Sequence, residues 1–213
     1  MTPLHRFASP PQGGAAPAVR QSRPGGASRG AVLARRQVLV FLAAGPLAGA
    51  AFATHAGAPG LLPGGRRQGQ ARLRFFGLSV YDATLWTEPG FEAAQFERHR
   101  FVLELHYLRT LYGKAIAERS LKEMRGVGNV SEAQATRWLD AMTRLFPDVK
   151  DGDHIAGLHL PGEGARFTLN ERPLGDVPDA EFARLFFGIW LSPATSEPRM
   201  REQLLAVAGR TLS

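Results

Sequence analysis

The chain has 213 residues, of which 44% are apolar and 21% charged, and it has no cysteine. That length suits one domain plus a tail, large enough to bury a core without staples. The missing thiols exclude disulfide frameworks, thiolate metal sites and cysteine nucleophiles. The formal net charge of +7 is unevenly placed. Ten arginines and no acidic residue precede Asp82; from there on, 16 basic residues meet 19 acidic ones, so +10 and −3 make the total. The basicity therefore belongs to a leader and not to a folded face. Nucleic-acid binding, which needs a basic stripe on a folded surface, is not expected.

Residues 1–34 are rich in Pro, Gly, Ala, Ser and Arg. They carry too little apolar surface to offset the entropy of ordering, and are expected to be disordered. Arg35-Arg36 then precedes an apolar run over residues 38–53 that contains Gly45, Pro46 and Gly49. The run is short for a membrane-spanning helix, which needs about 20 residues. It suits the apolar core of an export signal, with small residues at Ala51-Phe52-Ala53 or Thr54-His55-Ala56 for cleavage. The arginine pair resembles a twin-arginine signal. A general secretory signal with a chance arginine pair, and an uncleaved anchor helix, are the alternatives. All three place the body outside the cytoplasm, in the periplasm. Residues 57–70 read as linker, which leaves 1–56 as leader and signal and 71–213 as the folded domain.

Within the domain, residues 73–86 carry Phe75, Phe76, Val80, Tyr81, Leu85 and Trp86 and read as one strand ending before Pro89-Gly90. Phe101, Leu103, Leu105 and Tyr107 alternate with Glu104 and His106, which is strand periodicity. Residues 114–125 read as a helix anchored by Ile116, Leu121 and Met124 and stopped by Gly126-Val127-Gly128. Ser131 and Gln134 form a capping-box pattern. Ala135, Trp138, Leu139, Met142 and Leu145 then share one helical face. Residues 153–160 and 165–170 flank the turn Pro161-Gly162-Glu163-Gly164, a hairpin signal. Pro178-Asp179 opens a helix over residues 180–191, and Ser196-Glu197-Pro198 opens a last short one. Strands in runs and helices in runs indicate an α+β fold.

The general catalytic motifs are absent: no nucleophile elbow, phosphate loop, HExxH or EF-hand loop occurs. Neither a metal nor a cofactor is expected. His154 and His159 are five apart in a strand, so they point to opposite faces and read as surface or satisfied histidines. Asp151-Gly152-Asp153 reads as a turn. Arg72 and Arg74 share a strand face. By spacing alone they are a solvated basic edge; the alternative is an arginine that holds a carboxylate bidentately beside an apolar pocket. Phe182, Phe186, Ile189 and Trp190 form an apolar stripe, read first as core and alternatively as the wall of a ligand cavity.

Three stretches carry a resemblance. Arg72-Leu73-Arg74-Phe75-Phe76-Gly77 running on to Tyr81 and Trp86, Phe146-Pro147-Asp148 running on to Asp153, and Phe186-Phe187-Gly188-Ile189-Trp190 running on to Pro198 are similar to landmarks of the bacterial branch of the chalcone isomerase-like family. The likeness covers residues 69–208, nearly the whole body. It implies an α+β fold: an antiparallel sheet, a layer of helices on one face, and a ligand cleft between them.

The resemblance leaves function open, because some members cyclise chalcones and others bind fatty acids. The enzymes use an arginine near the opening strand, two threonines and a tyrosine. Here the threonine positions hold Phe76 and Ile189, and the tyrosine position holds Asn129, so the ketone-polarising hydroxyl network is missing. Arg72 matches the arginine.

The leading expectation is thus an exported, non-catalytic protein that binds a fatty acid or similar amphipathic carboxylate, with Arg72 as clamp and Tyr81 as a further ligand contact. One alternative is an isomerase or lyase of this fold on another substrate, with acid–base groups drawn from Asp82, His106, Tyr107 and Tyr112. The other is a partner protein at the membrane face, attached through the leader if that is uncleaved.

Overall fold

Phe76 and Gly77 both adopt left-handed backbone conformations, with φ of 48° and 78°. Two such residues in succession make a tight hairpin turn. The bulky run at 73–86 is therefore two strands, β1 (Arg66–Phe75) and β2 (Leu78–Thr87), not one. The sequence conceals this because an aromatic occupies the first turn position, where Asn or Gly is usual. The structure is a computed structural model and describes residues 60–206. The expected leader, export signal and arginine pair lie outside the described residues.

β1 begins inside the stretch expected as linker, since Arg66 already pairs with Thr87. Within the same stretch Leu62 is buried against Trp86, Val102, Ala156 and Leu158, with Leu61 packed beside it. A 3-10 helix (Ala93–Arg98) leads to β3 (Phe101–Tyr107). Two helices follow, α1 (Gly113–Val127) and α2 (Glu132–Leu145). β4 (His154–Leu160) and β5 (Gly164–Leu169) form the expected hairpin. A further strand, β6 (Arg172–Val177), pairs with β5. Its Pro173, Gly175 and Asp176 gave no strand signal, as edge positions tolerate such residues. Two more helices complete the described residues, α3 (Ala180–Leu191) and α4 (Pro198–Leu205). The six strands form one antiparallel sheet in chain order. This is the expected α+β architecture.

The helix starts follow the sequence signals. Ser131 Oγ accepts from the Gln134 N–H at 3.2 Å, and Gln134 Oε1 accepts from the Ser131 N–H at 3.0 Å, a complete capping box. α2 turns Ala135, Trp138 and Met142 into the core. α3 is the central helix. Its Phe182 and Phe186 rings stack at 5.4 Å, and Phe187 meets Phe101 edge-on at 5.0 Å. Gly157 on β4 makes room for this, because a Cβ there would press on the Phe167 and Phe187 rings.

Asp179 joins two helices. Its Oδ1 accepts from the Phe182 N–H at 3.0 Å, capping α3, and its Oδ2 accepts from Trp138 Nε1 on α2 at 2.9 Å. Asp179→Ala removes both bonds and should destabilise the fold by roughly 2 kcal/mol in urea unfolding. Asp179→Asn, with a single acceptor oxygen, should fall between Ala and the native residue.

Candidate functional site

β1, β2 and β3 turn Leu73, Tyr81, Leu105 and Tyr107 toward the helices, but α3 packs chiefly over β4 and β5. The space left between is a cavity of about 290 Å³. Ile116 of α1, Ile189 and Trp190 of α3 and Met200 of α4 roof it. Small-molecule sites span about 300–1,000 Å³, so this one suits a slender ligand. The α3 stripe thus does both things expected of it. Phe182 is fully buried core, while Phe186, Ile189 and Trp190 also line the cavity.

Trp190 Nε1 donates to the Tyr81 hydroxyl at 3.0 Å, and the Tyr81 and Tyr107 rings meet edge-on at 6.0 Å. Burial pushes both phenols well above the ordinary tyrosine range; for Tyr81 the bond from Trp190 opposes that shift only in part. Both therefore stay neutral at physiological pH.

Charge is confined to the rim, at Arg109, Arg119, Glu123 and Glu197. Glu123 is occupied: Oε1 accepts from Arg119 Nε at 2.7 Å, and Oε2 accepts from Ser196 Oγ at 2.7 Å. The Arg119 guanidinium also sits 6.0 Å above the Phe75 ring. Arg109 has no ion-pair partner among the described residues. Neither arginine stood out in the sequence.

Arg72, the expected clamp, lies elsewhere. Strand alternation puts it on the outer face of the sheet, opposite Asp82, while its neighbour Leu73 lines the cavity. Its Nε and Nη2 donate to the two Asp82 oxygens at 2.6 and 2.7 Å. That bond, more than any other cause, holds the Asp82 carboxyl below its usual range. From there Arg72 does not reach a ligand in the cavity, and Tyr81 is the expected site residue that does face it. Phe76 stands on the hairpin turn and Asn129 is exposed between α1 and α2, so of the three residues at the lost enzyme positions only Ile189 lines the cavity.

The proposed acid–base groups do not converge. Asp82 and His106 share the outer face, Tyr107 lines the cavity, and Tyr112 is exposed at the start of α1. His154 stacks on His106 at 4.3 Å on the outer face and lies 3.2 Å from Glu104. His159 faces inward, stacked on Phe101 at 4.8 Å, with Nδ1 on the His99 carbonyl at 2.7 Å. Asp153 serves its turn, accepting from the Lys150 N–H and from Asn170 Nδ2.

Comparison with known proteins agrees with this architecture. The family described as chalcone isomerase-like matches residues 69–206. The chain belongs to the chalcone isomerase-like family. It is 30% identical over 145 residues to a Haemophilus influenzae protein described only as uncharacterized, covering 68% of each chain. A solved structure with the same fold is the fatty-acid binding protein of Arabidopsis thaliana, with a TM-score of 0.55 and 13% identity, covering 70% of this chain and 90% of that one.

The raised phenols give a pH prediction. Stability tied to Tyr81 and Tyr107 is fully present below the ordinary tyrosine pKa of about 10 and is lost as pH rises above it. Ultraviolet titration should show two of the chain's three tyrosines ionising only as the fold is lost. Tyr81→Phe should remove one of them and flatten the alkaline loss of stability.

Proposed function

We propose that the chain is an exported, non-catalytic binding protein that holds a fatty acid or similar carboxylate amphiphile. The alkyl chain lies between Tyr81, Leu105, Ile189 and Trp190, and the carboxylate meets Arg109 at the rim. The observation that carries this reading is an apolar cavity whose rim includes a guanidinium with no ion-pair partner among the described residues. An ionised head group needs such a partner as it leaves bulk water. Arg119 has further N–H donors beyond the one given to Glu123, and adds to the same anion site. Kinship with a fold whose Arabidopsis representative is a fatty-acid binding protein supports the ligand class. The Arg35-Arg36 pair before the apolar run supports export.

Proton-transfer catalysis at neutral pH is favoured by a group whose pKa lies near 7. Burial moves the cavity's phenols the other way, and the remaining acid–base groups proposed from the sequence point elsewhere. Binding is thus the better use of this site.

Native mass spectrometry of the full chain, purified without detergent, should show a stoichiometric adduct of fatty-acid mass. In displacement of a fluorescent fatty acid, Arg109→Glu should weaken binding at least about tenfold, as loss of a charged hydrogen bond does. Arg72→Glu, on the other face of the sheet, should change it by less than about twofold, since exposed charges at a distance are screened. Equal losses in both variants would show that the head group is not held at the rim.

A further inference from the structure

We propose that the β1–β2 hairpin tip docks on an anionic lipid bilayer, beside the mouth of the cavity. Among the described residues, four large apolar side chains are exposed: Phe75, Phe76, Leu78 and Tyr112. Three stand on the tip. The fourth belongs to the same end of the molecule, because the Leu108 N–H donates to the Val80 carbonyl and runs the segment before α1 along the start of β2. Single exposed apolar residues are ordinary, but a cluster marks an interaction surface.

Phe76 is the plainest member. It is 90% exposed and holds a φ of 48°, which a bulky side chain adopts at a cost. Its ring contact is with Phe75, at 4.4 Å. Such a residue at the apex of a turn is poorly used in water and well used in an acyl layer.

Charge selects the occupant. Arg74 and Arg109 flank the cluster without ion-pair partners among the described residues, and Arg119 sits over Phe75. The acids nearby are Glu118, paired with Lys114, Glu123, paired with Arg119, Glu197 on the rim, and Asp148, whose Oδ1 accepts from the Gly113 N–H beside Tyr112. Aromatic rings at headgroup depth with arginines among lipid phosphates fit an anionic interface. A second copy docking tip to tip would bring the two arginine collars together, so self-association fits less well. Docking needs no ligand in the cavity; its use in loading or unloading one rests on the binding reading above.

The chain has no cysteine, so an introduced thiol can carry an environment-sensitive dye on the full-length protein. Tyr112→Cys places the dye at the cluster, and Glu163→Cys places it on the β4–β5 turn at the opposite end of the sheet. Vesicles of phosphatidylcholine with phosphatidylglycerol should blue-shift and brighten the dye at 112 and leave that at 163 unchanged. Adding Phe76→Asn and Leu78→Ser to the 112-labelled chain should weaken vesicle affinity at least about tenfold, since full burial of either side chain is worth that much. Asn suits the turn, so the melting temperature should not fall. An equal response at both ends, no response at 112, or unchanged affinity in the double variant overturns the proposal. A shift that grows with protein concentration without vesicles gives the surface to a second copy instead. Retained fatty-acid binding by the double variant in solution separates failure of docking from failure of the ligand reading.

Discussion

The hydrogen bond from Trp190 Nε1 to the Tyr81 hydroxyl spans the gap on which the cavity depends. The helical layer is pinned to the sheet along two lines. On one, Gly157 admits the Phe187 and Phe167 rings between α3 and the sheet. On the other, Gly69 of β1 lets the last turn of α4 approach so closely that a Cβ would meet the carbonyls of Gln203 and Leu204. Between these lines lies the cavity. The indole and the phenol meet across it through their hydrogen bond, and each satisfies a polar group that burial would otherwise penalise. This polar contact is therefore spent on spacing, and the walls around it are mostly apolar, suited to an alkyl chain.

The two faces of the sheet divide the chemistry. Direct cross-strand pairing puts Arg72, Asp82, His106 and His154 in one row over β1, β2, β3 and β4, on the outer face. Residues one position along, Leu73, Tyr81, Tyr107 and Ile155, fall on the inner face and line the cavity. A shift of one residue in register would exchange these sets. The Arg72–Asp82 pair adds little stability at its exposed position. Its consequence is positional, since it occupies the guanidinium that family resemblance nominates as a clamp.

The helices were legible because their signals are local. The Ser131 capping box, Asp179 before α3 and Pro198 opening α4 each act within one turn. The sheet was less legible. With Phe76 in place of Asn, the first hairpin reads as a single strand, and the Arg72–Asp82 pairing disappears with it, because two residues ten apart face each other only if the chain reverses between them. β6 was hidden by the proline and glycine that an edge strand tolerates. The cavity's charged rim was hidden for a different reason. Arg119 lies on the polar side of an amphipathic helix and Arg109 in a loop, and only the tertiary fold, which sets Arg119 of α1 over Phe75 at the end of β1, brings both to one opening.

That opening is also where the wall is weakest. Elsewhere the cavity is bounded by the Phe186 and Trp190 rings and by Met200, all buried in the main core. At the mouth, α1 is tied to the hairpin by an arginine over an aromatic ring and to the start of α4 by the Arg119–Glu123–Ser196 chain. Contacts of this kind, partly exposed, are worth only about 0.5–1 kcal/mol each, against about 1.5–3 kcal/mol for each fully buried aromatic of the core. Local opening follows the cheapest route, so under the binding reading proposed above a ligand's path would run between α1 and the β1–β2 hairpin. β1, which lines the cavity through Leu73 and Phe75, runs directly into the exposed Phe76 of the turn, which places that opening and the exposed aromatic pair on one short segment of chain.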